Sequence, residues 1–428
     1  MVGALVKTQG VCRQTFWKKK GQRAGLALAG AIALASLPLN WAIATPQIAQ
    51  APVRPTAPPP SLPLQLRPTQ EMLRTHRYPA LLAWDDQLWG VPNAATNRRA
   101  LLTAIAHSLR YLETPTAATL YAQYPVPGIT LERVRRSLIR FRHLLQTARS
   151  ATQLREAVLR EFEFYQSVGH DGQGTVAFTG YFEPTYVASR VPTAEFRYPL
   201  YRLPPDLAQW PTPHPSRVDL EGVDGLQGSQ GRLRGLELVW LRDRLEAFLV
   251  QVQGSARLQL TDGSTMTVNY AGRTEHPYVS IGRELINDGK MREADLTLPV
   301  LLEYFRQNPQ ELNTYLPRNQ RFIFFRETAG APPLGSLNVP VTPERSIATD
   351  KTLMPPGAIA LIQTALPVIE NGQLVPELTS RFVLDQDTGG AIRGPGRVDV
   401  FMGTGELAGD RAGLINTPGQ LYYLLVKD

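Results

Sequence analysis

Acidic residues stand among apolar residues and glycines in the stretch RFVLDQDTGGAIRGPGRVDVFMGTG, which spans residues 381–405. Carboxylates are seldom buried unless they are paired or take part in chemistry. Asp385, Asp387 and Asp399 are therefore the first candidates for a functional site. Such groups serve as general acids and bases, as nucleophiles or as metal ligands.

Asp399 is the acid whose position favours proton transfer. In RVDVF, strand alternation places Val398 and Val400 on one face and Asp399 on the other, beside Phe401. If the valines face the core, Asp399 faces a groove, where poor hydration would raise its pKa and suit a general acid. The cation of Arg397 would lower that pKa, so a turn cap or an ion pair with Arg397 is the structural alternative.

The triplet Asp387-Thr388-Gly389 is also the one that aspartic proteases use. Those enzymes need two such carboxylates that share a proton, and the chain has no second D-T-G or D-S-G. A single copy would have to work as a homodimer, so a protease is disfavoured.

The sequence predicts neither a metal nor a cofactor. Its six histidines never stand at i, i+3 or i, i+4 spacing, and Cys12 is the only cysteine. It contains no glycine-rich loop followed by Lys-Ser or Lys-Thr, and GTGELAG lacks the strand–turn–helix context of a dinucleotide site.

The charge distribution argues against a nucleic-acid partner. The chain of 428 residues is 43% hydrophobic and 19% charged, which is enough for a folded core. Its formal charge of +8 comes from residues 1–68, which hold eight basic residues and no acid. The remaining 37 basic and 37 acidic residues balance, so the body has no basic footprint for DNA or RNA.

The N-terminal tail indicates export. Residues 1–44 combine basic residues, an apolar run at 24–39 and a small-x-small end at Ala44, as in a signal peptide or an N-terminal anchor. Residues 45–69 are rich in proline and predict an extended linker. We expect a protein of the periplasm, the outer membrane or the cell envelope, tethered to a membrane if the N-terminus stays uncleaved.

Hydrophobic spacing then predicts the elements that position the acids. Apolar periodicity indicates helices from about 97 to 167, one of them capped by Thr130 and the last ending at Gly169. After Gly172, alternating β-branched and aromatic segments predict strands, with a hairpin that turns at Asp262-Gly263. The protein should be mainly β with a helical N-terminal part.

Six motifs occur along the chain in a characteristic order and spacing. They are FTGYFEP (178–184), VQVQGSARLQLTDG (250–263), NYAGRTEHPYVSIGRELINDG (269–289), NQRFIFFRE (319–327), SIATDKTLMPPGAIA (346–360) and DTGGAIRGPGRVDVFMGTGELAGDRAG (387–413). Together they resemble the membrane-bound lytic murein transglycosylase A family. The last two resemble the family's "3D" signature, named for three aspartates, here Asp350, Asp387 and Asp399. The chain departs from the family in lacking a lipid-modified cysteine at the end of the leader, which puts lipoprotein anchoring in doubt.

The resemblance implies a double-psi β-barrel with an inserted second β-domain and a groove between them. Residues 70–184 would form the helical segment and the first part of the barrel, 185–335 the inserted domain, and 336–428 the second part of the barrel. The groove would hold glycan strands of peptidoglycan, and we expect a monomer.

The resemblance also implies non-hydrolytic cleavage of the β-1,4 bond between N-acetylmuramic acid (MurNAc) and N-acetylglucosamine (GlcNAc), leaving a 1,6-anhydro ring. Asp399 matches the family's catalytic aspartate and would act first as acid and then as base. Asp387 would hold backbone N–H groups or orient Asp399, Asp350 would support the site or line the groove, and Asp385 would be a strand-end polar residue. A non-catalytic peptidoglycan-binding protein and a hydrolytic glycosidase remain the alternatives.

The matched motifs also supply candidates for binding the glycan. Hydroxyls, amides and aromatic faces suit a neutral polyol, and glycines let the backbone approach the sugars. Arg411 could meet substrate carboxylates or form a structural ion pair. The candidates are Thr179, Tyr181, Gln253, Ser255, Tyr270, Ser280, Gly389, Gly390 and Arg411.

Overall fold

The computed structural model describes residues 62–428. The predicted leader at 1–44 and most of the predicted linker at 45–69 lie outside the described residues. Among the helices of residues 62–428, none combines the length and the apolar character needed to cross a membrane.

The first part of the described chain is largely helical before it enters a strand that flanks the barrel, then one strand of the barrel and the first strand of a second sheet. Its elements are β1 (Leu64–Arg67), α1 (Thr69–Thr75), α2 (Ala94–Leu112), α3 (Pro115–Ala122), α4 (Leu131–Thr147), α5 (Ala151–Glu161), β2 (Phe162–Ser167), β3 (Val176–Glu183) and β4 (Thr185–Ser189).

The middle part alternates strands with short helices. Its elements are β5 (Tyr198–Tyr201), α6 (Arg217–Glu221), β6 (Glu237–Leu241), α7 (Arg244–Gln253), β7 (Ser255–Leu260), β8 (Thr265–Arg273), α8 (Ile281–Asn287), α9 (Leu298–Gln307), α10 (Leu312–Tyr315) and β9 (Ile323–Glu327).

The last part is mostly strand. Its elements are β10 (Ser346–Ala348), β11 (Ile359–Glu370), β12 (Gln373–Asp387), β13 (Arg397–Thr404), α11 (Glu406–Leu414) and β14 (Asn416–Val426).

Six of these strands close into a barrel, which confirms the prediction of a mainly β protein. The order is β14-β11-β12-β10-β13-β3, and β3 pairs back onto β14, so the ring has no free edge. The pairs β10–β12 and β13–β3 are parallel, whereas β11–β12 and β14–β3 are antiparallel. β2 and β1 extend the sheet from β14.

The second sheet has its own core. Its order is β5-β6-β4-β7-β8-β9, and it includes the β7–β8 hairpin, which turns at Asp262-Gly263 as predicted. Buried apolar side chains such as Val239, Leu258 and Val268 fill one cluster, while helices α7 to α10 contribute to a neighbouring one. Burial of such side chains is the main stabilising term for each unit.

Local signals explain some of the element bounds, and tertiary packing explains others. The Thr130 side chain accepts a hydrogen bond from the Arg133 N–H and caps α4 as predicted. The prediction that the last helix runs to Gly169 is wrong, since α5 ends at Glu161 and β2 follows. Phe162 and Phe164 are fully buried in the main core, where pairing of β2 with β14 outweighs helical propensity.

Candidate active site

Asp399 lies in the middle of β13, between two neighbouring strands of the barrel. It stands opposite Ala348 of β10 and Thr179 of β3 in the strand register. Val398 and Val400 are fully buried in the core, as the alternation of RVDVF predicts. Asp399 therefore points away from the core and keeps some exposed surface.

The surroundings of Asp399 favour its neutral, proton-carrying form. Burial raises the pKa of Asp399 to about 6, and the charge of Asp387 acts in the same direction, while hydrogen bonding by Thr179 and the charge of Arg397 oppose the rise. Asp399 Oδ1 is buried and has no hydrogen-bond partner in the described part of the chain. An orphaned buried oxygen of this kind is unusual in folded proteins and points to a functional role.

Arg397 does not neutralise Asp399. Its Nη2 donates a hydrogen bond of 3.1 Å to Thr179 Oγ1, and its buried Nε has no partner among residues 62–428. No ion pair between Arg397 and Asp399 is present there either. The arginine is thus close enough to moderate the pKa of Asp399 but does not lock the carboxyl.

Asp387 is held by three hydrogen bonds at the end of β12. Its Oδ1 accepts from the backbone N–H groups of Ser336 (2.8 Å) and Thr388 (2.7 Å), and its Oδ2 accepts from the Tyr181 hydroxyl (2.8 Å). Burial raises the pKa of Asp387, although these bonds and the charge of Lys351 counteract it. We call this arrangement the Asp387 clamp. It contains the backbone N–H contacts that the sequence predicted for Asp387.

Asp350, the remaining aspartate of the signature, fixes the loop that leads into β13. Its Oδ1 accepts from Thr352 N and Oγ1, and its Oδ2 accepts from Gly394 N at 2.9 Å. Burial alone would raise the pKa of Asp350, but the bonds from Thr352 and Gly394 outweigh it and hold the pKa below its usual value. These contacts favour a supporting role over direct chemistry.

Asp385 corrects the expectation of a strand-end polar residue, because it is wholly buried inside the barrel. Its Oδ2 accepts from Thr349 Oγ1 (2.8 Å) and the Tyr423 hydroxyl (2.7 Å), and its Oδ1 pairs with Lys351 Nζ. The Lys351 ammonium also donates to the Asp387 carbonyl. Lys351 therefore ties Asp385 to the Asp387 clamp, a role that the sequence analysis missed.

Two predicted glycan contacts on β3 face the same side as Asp399. Thr179 stands beside Asp399 in the register, and Tyr181, two residues on, packs its ring against Phe401 with centroids 5.1 Å apart. Glu183, the next residue of this face, is fully buried. The strand thus presents a hydroxyl and an aromatic ring beside the acid.

The predicted contacts from the second sheet have mixed surroundings. Gln253 Oε1 accepts from Phe182 N at 3.0 Å, so that side chain links α7 to β3. Ser255 is buried, whereas Tyr270 is exposed. Ser280 caps α8 by accepting from Arg283 N, which is the turn role that competes with glycan binding.

Gly390 marks the point where the second sheet's loops meet the barrel. A Cβ at this position would overlap the Arg321 guanidinium and lie 3.2 Å from Tyr278 Cβ. At Gly389 a Cβ would lie 3.0 Å from Ile392 Cγ1. Gly390 therefore allows a close approach between two parts of the protein, in addition to any approach to a ligand.

Tyr278 and Arg321 belong to quoted motifs, yet sequence reasoning gave them no role. Burial raises the pKa of Tyr278, the negative charge of Asp399 adds to the rise, and hydrogen bonding by Ser280 opposes it. Tyr278 thus lies near Asp399 although some 120 residues separate them in sequence. Its aromatic ring within HPYVS was the only available signal.

Arg411 is committed elsewhere, which supports the structural alternative for it. Its Nη1 pairs with Glu344 Oε1 at 2.6 Å, and its Nε donates to the Pro367 carbonyl at 2.9 Å. Those contacts hold two of its three nitrogens against the protein.

Residues 62–428 contain no group of three or more histidine, cysteine or acidic side chains arranged to hold a metal ion. A cavity of about 690 Å³ lies behind the Asp387 clamp, with Tyr111, Ser336, Lys351 and Thr388 in its lining. Asp399 does not line that cavity, so we place the candidate active site at the Asp399 face of the barrel.

Comparison with known proteins agrees with these observations. Residues 177–326 match the MltA specific insert domain, and residues 345–425 match the 3D domain. Membrane-bound lytic murein transglycosylase A of Escherichia coli K12 is 32% identical over 271 residues, which cover 62% of this chain and 70% of the relative. The Vibrio cholerae protein of that name is 31% identical over 258 residues, covering 60% and 67%.

Solved structures show the same likeness. A membrane-bound lytic murein transglycosylase from Agrobacterium tumefaciens superposes with a TM-score of 0.62 at 26% identity, over 80% of this chain and 97% of that one. E. coli MltA with bound chitohexaose gives a TM-score of 0.59 at 26% identity, over 76% and 89%. The chain belongs to the membrane-bound lytic murein transglycosylase A family.

Proposed function

We propose that the protein is a peptidoglycan lytic transglycosylase that cleaves the β-1,4 MurNAc–GlcNAc bond without water and leaves 1,6-anhydro-MurNAc ends. Its family membership supports the reaction class, since the relatives are named lytic murein transglycosylases. The observation that carries the mechanism is Asp399, a carboxyl with a raised pKa and a buried oxygen that lacks a hydrogen-bond partner in the described chain.

In the first step, protonated Asp399 donates its proton to the glycosidic oxygen while the bond from that oxygen to C1 of the muramoyl residue breaks. The GlcNAc alcohol leaves, and the muramoyl ring gains oxocarbenium character. A pKa of about 6 leaves a useful fraction of the carboxyl protonated near neutral pH.

In the second step, the resulting carboxylate accepts the proton of the muramoyl C6 hydroxyl while that oxygen bonds to C1. The nucleophile belongs to the substrate, so the reaction has the rate advantage of an intramolecular attack. The proton lost in the first step is regained in the second, and one carboxyl serves both steps. No second catalytic carboxylate is required, unlike in a hydrolytic glycosidase.

The surrounding residues then have positioning roles. The Asp387 clamp fixes Tyr181, whose strand lies beside β13, and Asp350 fixes the loop before β13. Thr179 and Tyr181 would contact the sugars nearest the acid. Gln253, Ser255, Tyr270, Ser280, Gly389 and Gly390 would lie further along the glycan or shape its groove.

We also propose the finer architecture that the family implies. The closed ring would be a double-psi barrel formed by residues 70–184 and 336–428, and residues 185–335 an inserted domain that forms the opposite wall of the groove. The E. coli relative was solved with chitohexaose, which supports glycan binding here. The protein would act as a monomer in the cell envelope.

Digestion of purified murein by the Asp399→Asn variant tests the mechanism. We expect wild type to release anhydro-muropeptides one water lighter than hydrolysis products by mass spectrometry, and the variant to release none while keeping its fold. Glu246→Gln is the matched control, because burial also raises the pKa of Glu246, to about 7, and leaves its Oε2 without a partner in the described chain.

The outcomes separate the alternatives. Products that include the extra water would identify a hydrolytic glycosidase. Binding to murein without soluble products from wild type would identify a non-catalytic peptidoglycan-binding protein. Wild-type rates in the Asp399→Asn variant would exclude Asp399 as the acid.

A further inference from the structure

Four arginines gather on the side of the candidate active site where the second sheet's loops meet the barrel. They are Arg273, Arg321, Arg393 and Arg397, which we call the arginine cluster. All four belong to the quoted motifs, and three of them are next to a glycine in sequence. None has a role in the proton transfers proposed above. What they bind is therefore an open chemical question.

Contacts and mutual charge effects establish that the cluster is compact. Arg321 presses against Gly390 and donates from Nε to the His276 carbonyl at 2.8 Å. Burial lowers the pKa of Arg321 to about 10, and the charges of Arg273 and Arg393 lower it further. Arginine side chains are cations in proteins, so the positive charges of the cluster repel one another.

The cluster borders the acid. The charges of Arg397 and Arg321 both act on Tyr278, the ring whose pKa also responds to Asp399. Arg397 lies two residues from Asp399 on β13 and donates to Thr179. A ligand group bound by the cluster would thus lie near the glycosidic oxygen that Asp399 protonates.

The cluster lacks a direct ion pair in the described chain, although Asp399 interacts with the charge of Arg397 and Asp350 with that of Arg393. Within residues 62–428 none of its four members forms an ion pair with a carboxylate, and the buried Nε of Arg397 has no hydrogen-bond partner. Elsewhere in the same range buried arginines are paired, as Arg345 is with Asp85 and Arg217 with Glu221. Four grouped cations that outnumber the acids near them are electrostatically unfavourable unless a ligand supplies further negative charge.

We propose that the arginine cluster is a carboxylate subsite that binds the anionic substituent of the muramoyl residue next to the scissile bond. Guanidinium groups bind carboxylates through paired, charge-assisted hydrogen bonds. Murein offers carboxylates from the peptide attached to the lactyl group, or from the lactyl group itself where that peptide has been removed. The inference rests on the proposed function and adds a substrate preference for carboxylate-bearing glycan over neutral glycan.

Binding measurements with the double variant Arg273→Gln/Arg393→Gln test the subsite. Both side chains are exposed, so their loss should leave the fold intact. The parent protein and every variant compared with it carry Asp399→Asn, which prevents turnover of the probes. Dissociation constants are measured for three probes: a peptide-bearing murein tetrasaccharide, the same tetrasaccharide after an amidase has removed its peptides, and neutral chitohexaose. Arg74→Gln/Arg99→Gln, two exposed arginines on α1 and α2, removes the same charge outside the cluster.

We expect the cluster variant to bind at least one of the two carboxylate-bearing tetrasaccharides about 3 to 30 times more weakly than the parent, as for the loss of two partly solvated ion pairs. Chitohexaose binding should change less than about twofold, and the control variant should match the parent for all probes. Loss restricted to the peptide-bearing probe would identify the peptide as the source of the carboxylate, loss restricted to the stripped probe would identify the free lactyl group, and equal loss with both would show that the cluster accepts either carboxylate.

Equal weakening of chitohexaose, or no weakening of any probe, would overturn the subsite. Neither result would touch the proposed reaction, which is decided separately by the products of murein digestion. Failure of the parent to bind any of the three probes would instead count against the proposed function and the subsite together.

Discussion

The carboxyl of Asp399 should lower the stability of the folded protein at neutral pH, and its removal should restore that stability. A carboxyl whose pKa is higher in the folded than in the unfolded state binds its proton more tightly when folded. The carboxyl therefore does not reduce the stability of the fold when the pH is below its pKa in the unfolded state. It reduces that stability by the full amount once the pH exceeds its pKa in the folded state. Asp399→Asn should gain stability relative to wild type as the pH rises through this window.

The size of the effect follows from the two pKa values. The pKa of Asp399 rises from 3.8 to about 6 on folding, mainly through burial. Each pKa unit corresponds to about 1.4 kcal/mol, so the penalty approaches about 3 kcal/mol above pH 6. Because the residue keeps some exposed surface, this value is an upper one. Any unsatisfied hydrogen bonds of the asparagine change the stability of the variant by the same amount at both pH values. They therefore cancel when the two stability differences are compared.

Urea unfolding at about pH 4 and pH 7 measures the difference in the free energy of unfolding between wild type and Asp399→Asn. The dependence of that free energy on urea concentration should be the same for both proteins, which checks that they unfold in the same transition. Asp171→Asn is a control of opposite sign. Hydrogen bonds from Thr175 and Gln173 lower the pKa of Asp171 to about 2, so that variant should be less stable than wild type by nearly the same margin at both pH values, because its stabilisation is lost only as the pH falls from about 4 towards 2. An Asp399→Asn difference that does not grow with pH would refute the raised pKa and the acid role built on it.

Three further predictions concern the reaction and the supporting contacts. The kcat/KM for murein should fall about tenfold per pH unit above about pH 6, because Asp399 must carry its proton; a flat profile from about pH 5 to 8 would contradict the acid role. Lys351→Met should destabilise the protein by about 3–5 kcal/mol, since it leaves Asp385 charged and buried without its cation; urea unfolding measures this, and an unchanged midpoint would show that the pair is dispensable. Gly390→Ala should destabilise by about 1–3 kcal/mol and weaken chitohexaose binding, because its Cβ overlaps the Arg321 guanidinium; wild-type stability and affinity would mean that Arg321 yields without consequence.

Alternation along one strand was enough to place Asp399. The period of two is a local property, and two valines on the opposite face fix which side is buried. The same reasoning fails for Asp385 and Asp387, which should share a face by spacing alone. A register irregularity between Ile347 and Ala348 opposite them separates their environments, and the sequence carries no local sign of it.

Partners distant in sequence were also beyond prediction. Arg411 meets Glu344 across 67 residues, and Lys351 meets Asp385 across 34. The local sequence around a basic residue does not show whether it is free to bind a ligand or already paired with an acid elsewhere in the chain. The segment Phe162–Ser167 shows the related limit for secondary structure, because its strand form depends on pairing with β14, more than 250 residues later.

The dependence on β14 has a consequence for how the active protein forms. β3 carries Thr179 and Tyr181, but its pairing along one side is supplied by residues 416–419 at the start of β14. The barrel cannot close, and Asp399 cannot become buried, until β14 has emerged from the ribosome. A chain truncated before β14 would thus lack a competent proton donor.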